Sequence, residues 1–241
     1  ADGAFPTALR TGAASAIASK ILAREDSTTI GLVGCGAQAV TQLHALSRVF
    51  KIDRVLVHDT AQEALASFAR RVAFLGLGVS IASLSEVERG ADILCTATSV
   101  DAGAGPVIGG TELKPHVHVN AVGSDLPGKA ELPSSFLRRA FVCPDFLPQA
   151  LVEGECQQLG LEEIGPTLAE VVKNPSLGHL HRDRPTVFDS TGFALEDQVV
   201  FGVLLRHAER IGVGRLLRVE TSADDPRDPY GFVAQAAPAG E

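Results

Sequence analysis

The chain has 241 residues, of which 45% are hydrophobic and 21% charged, and its 21 basic against 29 acidic side chains leave a net charge of −8. That composition excludes wholesale disorder and suits one large or two modest packed domains. Without a basic run, or an apolar stretch near the ~18–20 residues of a membrane span, it argues against nucleic-acid and membrane partners.

Residues 7–24 are rich in alanine and contain no proline, which predicts a helix. Its apolar residues lie on several sides, so a covering element is expected. Next come a short apolar strand at Thr29–Val33, a helix from Ala37 to Val49 and a strand at Arg54–His58 that runs into Asp59. A helix over Gln62–Leu75 has Ala64, Leu65, Phe68, Ala69 and Val72 on one face. Three more buried-type strands follow at Val79–Ala82, Ile93–Ala97 and Val117–Val122. Short apolar strands alternating with helices imply an α/β fold, a Rossmann-type doubly wound parallel sheet covered on both faces. The second half is less regular. Strands are expected at Phe141–Cys143 and Thr186–Asp189, short helices at Phe146–Glu153 and Thr167–Lys173, and a longer one at Leu195–Ile211. The tail from Ser222 reads as frayed.

The strongest local signal is Gly34-Cys35-Gly36-Ala37-Gln38-Ala39, a GxGxxA between a strand and a helix. Gly34 permits the tight turn, Gly36 leaves room for a pyrophosphate, and Ala39 lets helix and strand approach. The free N–H groups of the helix start, those of Ala37 and Gln38 among them, suit phosphate oxygens. Asp59 follows Gly36 by 23 residues, near the spacing of about 20 expected for the acid that receives the adenosine ribose hydroxyls. A carboxylate there repels a 2′-phosphate, so NAD is the expected cofactor rather than NADP. Cys35, Cys95, Cys143 and Cys156 form no CxxC and read as reduced thiols of a cytoplasmic protein. The pairs His116/His118 and His179/His181 lack zinc spacing, so no metal site is expected.

Five stretches carry a family resemblance. They are Leu9 to Ser15 (LRTGAAS), Gly34 to Gln38, Val122 to Leu132 (VGSDLPGKAEL), Gln149 to Gln158 (QALVEGECQQ) and Phe188 to Asp197 (FDSTGFALED). In this order the chain resembles the ornithine cyclodeaminase/mu-crystallin family. The resemblance implies Asp125 as the catalytic acid–base group and Arg10 as the guanidinium that binds a substrate carboxylate, with Thr191 near the substrate. It implies cofactor contacts from Thr98, Ser99, Val122, Lys129 and Ser190, with Glu131 a structural neighbour. The activity implied is NAD-dependent cyclodeamination of a small basic amino acid. Ornithine would be oxidised to an α-imine, closed by its own side-chain amine with loss of ammonia, and reduced to proline. Thr191 departs from the valine of bacterial ornithine cyclodeaminases. That keeps open a net redox enzyme, either a ketimine reductase or an alanine-dehydrogenase-like one. A non-catalytic binder like the crystallin branch is a third reading.

The resemblance also implies a second domain for substrate binding and dimerisation. Residues 1–24 would be its connecting helix and remnant, 25–192 the NAD-binding domain, 193–221 a helix returning to the second domain and 222–241 a flexible tail. Family members extend further at the N-terminus, where a substrate-binding lysine lies. The expected partners are therefore a small amino or imino acid and a second copy of the chain in a homodimer or higher oligomer, with the N-terminal part possible as a separate segment.

Overall fold

The computed structural model describes residues 3–215. Its contacts divide the chain into two compact units, Ala1–Phe201 and Gly202–Glu241. The expected tail at 222–241 lies outside the described residues, as do 216–221 of the expected returning helix.

The chain opens with α1 (Ala4–Leu22), followed by β1 (Thr29–Val33), α2 (Ala37–Ser47), β2 (Arg54–His58), α3 (Gln62–Arg71) and β3 (Val79–Ile81). It continues through α4 (Leu84–Gly90), β4 (Ile93–Thr96), β5 (His118–Ala121), α5 (Ser134–Leu137) and β6 (Phe141–Pro144). Last come α6 (Leu147–Glu153), α7 (Leu168–Lys173), α8 (Ser176–His179), β7 (Thr186–Asp189) and α9 (Ala194–Ile211). The seven strands form one sheet in the order β3-β2-β1-β4-β5-β7-β6, and every pairing is parallel. After β3 the chain crosses back from one edge to β4, beside β1. The strand order reverses there, and a crevice opens at the carboxyl ends of β1 and β4.

The central strands are buried at nearly every position because helices cover both faces, and their polar residues, His118 and Asn120 of β5 and Thr186 and Asp189 of β7, are buried with the apolar ones. β4, β5 and β7 are buried throughout. One core cluster joins Ile30, Leu32, Val55, Val57 and Ile93 to Leu43 and Leu46 of α2 and Phe68 of α3. On another, Leu56, Leu94, Val119 and Val187 meet Val87, Phe136 and Leu137. The small residues of α1 have a packing purpose. Gly12 lies against the Thr41 carbonyl of α2, and Ala14, Ala18, Ile21 and Leu22 join Cys143, Val171 and Phe188 in a third cluster. The covering element expected for α1 is therefore supplied in part by α2 and the sheet, while Ile17 stays 48% exposed.

The expected helix Gln62–Leu75 ends at Arg71 and tightens into a 3₁₀ turn over Ala73–Leu75, closed by Gly76 at φ 68°. α4 is a short helix of seven residues. Its start is built by Ser83, which accepts the Glu86 N–H while the Glu86 carboxylate takes the Ser83 N–H, a capping box. His118 is a core residue. Its ring bonds Thr186 Oγ1 at 2.8 Å and Asn120 Oδ1 at 3.2 Å, and burial pushes its pKa down to about 3. All four cysteines are free and buried. No helix among the described residues is long and apolar enough to cross a membrane.

Candidate cofactor and substrate site

The glycine turn is positioned by the sheet itself. The Gly34 N–H donates to the His58 carbonyl at 2.9 Å, which ties the end of β1 to β2. Gly34 has φ 91°, and a Cβ there would stand 2.5 Å from the Ala97 carbonyl oxygen. Only glycine meets both conditions. Gly36 is the reverse case: a Cβ on it would meet nothing within 4 Å, because it faces open space. No side chain caps the start of α2. Its first N–H groups are left for a ligand, and with the helix dipole they favour an anion.

That space is a crevice of about 800 Å³. It gathers ten of the thirteen residues singled out in the sequence. Gly34, Gly36, Ala37 and Gln38 come from the turn, Asp59 from the end of β2, Thr98 and Ser99 from the loop after β4, and Val122, Asp125 and Lys129 from the loop after β5. Asp59 has a structural duty besides any ligand contact. Its Oδ2 accepts the Cys35 N–H at 2.6 Å and its Oδ1 the Ala61 N–H at 2.8 Å. Lys129, 8% exposed, donates from Nζ to Asp125 Oδ1 at 2.8 Å and so orients a carboxylate that is itself 59% exposed. An exposed acid held at one oxygen by a buried cation can still present the other to a substrate proton.

Beneath the loops after β4 and β5 lies a chain of buried carboxylates that the sequence reading left unassigned, except for Glu131. Glu131 accepts four hydrogen bonds: from Thr96 Oγ1, the Thr98 N–H and Thr98 Oγ1 at 2.7 Å each, and from the Gly123 N–H at 2.8 Å. A Cβ on Gly123 would run into this carboxylate, so the glycine permits the approach. Glu155 accepts the Glu131 N–H at 2.7 Å, and Asp189 accepts the N–H groups of Glu155 and Cys156 at 2.9 and 2.8 Å. Burial raises the carboxyl pKa of all three. Glu131 moves upward against its four donors, Glu155 is pushed to about 8 with help from the charge of Asp189, and Asp189 reaches about 6. Gln157 completes the brace, accepting the Gly128 N–H at 2.7 Å and donating to the Lys129 carbonyl at 2.9 Å.

Arg10, Ser190 and Thr191 stand outside the crevice lining, in a second cluster past β7. Arg10 Nη1 lies 3.3 Å from Glu196 Oε2 and its Nε 3.6 Å from Asp197 Oδ1. Thr191 Oγ1 donates to Asp145 Oδ1 at 3.0 Å, and the Gly192 N–H to Asp145 Oδ2 at 2.5 Å. Burial raises the Asp145 carboxyl and pushes Glu196 up to about 7, against the pull of Arg10. Ser190 is buried at the same strand end. Glu155 and Asp189 sat inside the resembling stretches, and that was the signal available. An acid among apolar neighbours has no period of its own to mark it as buried.

A parallel sheet with a glycine turn and an acidic residue facing its switch point defines a Rossmann-like α/β protein. The chain belongs to the ornithine cyclodeaminase/mu-crystallin family, whose model matches residues 1–209. It is 47% identical over 232 residues to an L-lysine cyclodeaminase of Streptomyces rapamycinicus, covering 96% of this chain and 68% of that one. A solved lysine cyclodeaminase, described for its recognition of L-lysine, L-ornithine and L-2,4-diaminobutyric acid, superposes with a TM-score of 0.90 at 51% identity, over 95% of this chain and 67% of its own. An archaeal alanine dehydrogenase dimer with bound NAD gives a TM-score of 0.79 at 35% identity, over 90% and 68%. The chain thus spans about two thirds of the length of each.

Proposed function

We propose that this chain carries the NAD-binding part and the acid–base group of a cyclodeaminase acting on a basic diamino acid, with L-lysine ahead of L-ornithine. One observation carries the reading: a single crevice holds the glycine turn and Asp59 together with the Asp125–Lys129 pair. The crevice fits a dinucleotide, since Gly36 opens onto free space beside the uncapped start of α2 and Asp59 stands where ribose hydroxyls would be received. The order of substrates rests on the 47% identity to the Streptomyces enzyme.

Bound NAD would supply a hydride acceptor that takes the hydride from the substrate Cα and later returns it. Asp125 takes a proton from the α-amine as the imine forms, and Lys129 keeps its carboxylate in place. In between, the distal amine would attack the imine carbon and ammonia would leave, so that the substrate would lose NH₃ with no net redox change. Arg10 is the substrate-carboxylate ligand in this scheme, which requires the carboxylate to compete with Glu196 and Asp197. The whole protein assembles as a dimer, as the archaeal relative does.

The test supplies the whole protein with catalytic NAD and L-lysine, L-ornithine or L-alanine, following ammonia and absorbance at 340 nm together. Ammonia release from lysine without NADH accumulation supports the proposal. Stoichiometric NADH with alanine would instead favour the net redox reading, which the 35% identity to the alanine dehydrogenase keeps in play.

A further inference from the structure

We propose that Arg71 is a positioning residue for the dinucleotide, aiming the N–H groups of the glycine turn into the crevice. The inference rests on the dinucleotide reading above. Arg71 is the last residue of α3, and its guanidinium lies 5.2 Å from the centroid of the Phe68 ring. Nε donates to Ser67 Oγ at 3.2 Å, and Nη2 to the carbonyls of Cys35 at 2.5 Å and Ala64 at 3.1 Å. Nη1 donates to the Gly36 carbonyl at 3.3 Å. These donors address neutral oxygens, and among the described residues no bonded carboxylate cancels the charge.

In a trans peptide the carbonyl and the following N–H point in opposite directions. Holding the Cys35 and Gly36 carbonyls against Arg71 therefore turns the N–H groups of Gly36 and Ala37 away from it. Both residues line the crevice. Asp59 completes the grip, because its Oδ2 takes the Cys35 N–H at 2.6 Å. The middle residue of the GxG is held at its N–H by a carboxylate and at its carbonyl by a guanidinium. A cation on a carbonyl also polarises the N–H of the same peptide, which strengthens that donor. A pyrophosphate in the crevice would meet two aligned donors, with a positive charge behind them.

The experiment measures dissociation constants of NADH and ADP-ribose for the whole protein by calorimetry, together with the melting temperature of the ligand-free protein. Arg71→Gln should weaken both ligands by the same factor, roughly tenfold or about 1.4 kcal/mol, with little change in melting temperature. Arg71→Lys, which keeps the charge and can reach one carbonyl, should recover part of the loss. Unchanged affinity in Arg71→Gln overturns the proposal, as does a loss for NADH that ADP-ribose does not share. A loss matched by a lower melting temperature and not relieved by lysine overturns it too, because that is general loosening. An unaltered chain that binds neither ligand overturns the dinucleotide reading itself, and shows it before any substitution is made.

Discussion

At the carboxyl ends of β1 and β2 the crevice is bordered by a glycine turn and by a helix start that no side chain caps. At the ends of β4, β5 and β7 the loops are held from below by Glu131, Glu155 and Asp189, buried carboxylates that accept backbone N–H groups. The first region needs few side chains, because a helix terminus is polar without them. The second stacks three acids without a hydrogen-bonded cation, which is stable only while every oxygen finds a donor. The two regions should therefore fail differently. Damage on the turn side should cost ligand affinity, and damage on the carboxylate side should cost the fold.

The largest effect should come where the second region borders the crevice, at Asp125. Asp125→Asn keeps the shape and removes the base, so turnover of the whole protein should fall by about 10²–10⁴. Its NADH affinity should stay within about twofold, since the residue touches no part of the glycine turn. Unchanged turnover would take Asp125 out of the mechanism.

Next is Glu131→Ala, which strands the N–H groups of Thr98 and Gly123 and two hydroxyls. Each buried orphan costs about 1–3 kcal/mol, so unfolding in urea should show a loss of at least ~3 kcal/mol. A midpoint equal to that of the unaltered chain would mean the brace contributes nothing.

The pH dependence should follow the same carboxylates. Glu155 rises in the folded chain from an ordinary 4.5 to about 8, and Asp189 from 3.8 to about 6. The folded state then binds more protons than the unfolded one across these windows. This contribution to stability is fully present below the ordinary values and is lost as pH rises through the folded ones. The melting temperature should fall between pH 5 and pH 8, and Glu155→Gln should flatten that slope. A melting temperature that climbs steadily over the interval would contradict the carboxylate assignment.

The smallest effect belongs to the turn side. The unaltered chain should bind NADH at least about tenfold more tightly than NADPH, or ~1.4 kcal/mol. Asp59→Ser should narrow the gap. Because Asp59 also holds the Cys35 N–H, the variant should weaken NADH as well as admit NADPH. A variant that gained NADPH affinity with no loss for NADH would show that this bond is not needed by the turn.

The alternation of short apolar runs with helices determined the doubly wound sheet, since a strand covered on both faces is buried at successive positions and is mostly apolar there, as β1, β2 and β4 are. The glycine turn, Asp59 and the loop around Asp125 were legible for a similar reason. Each acts through local backbone geometry or a short motif, and the structure brings all of them to one crevice. Tertiary structure alone decided which acids are buried. Glu155 and Asp189 lie 34 positions apart and Asp189 meets the Glu155 N–H through a packed strand end, a contact with no periodic trace in the chain. It also decided that Arg71, an ordinary last residue of a helix, would reach across 35 and 36 positions to the carbonyls of Gly36 and Cys35. Hydrogen bonds to backbone atoms ask nothing of the partner's side chain, so neither residue type nor spacing could announce them.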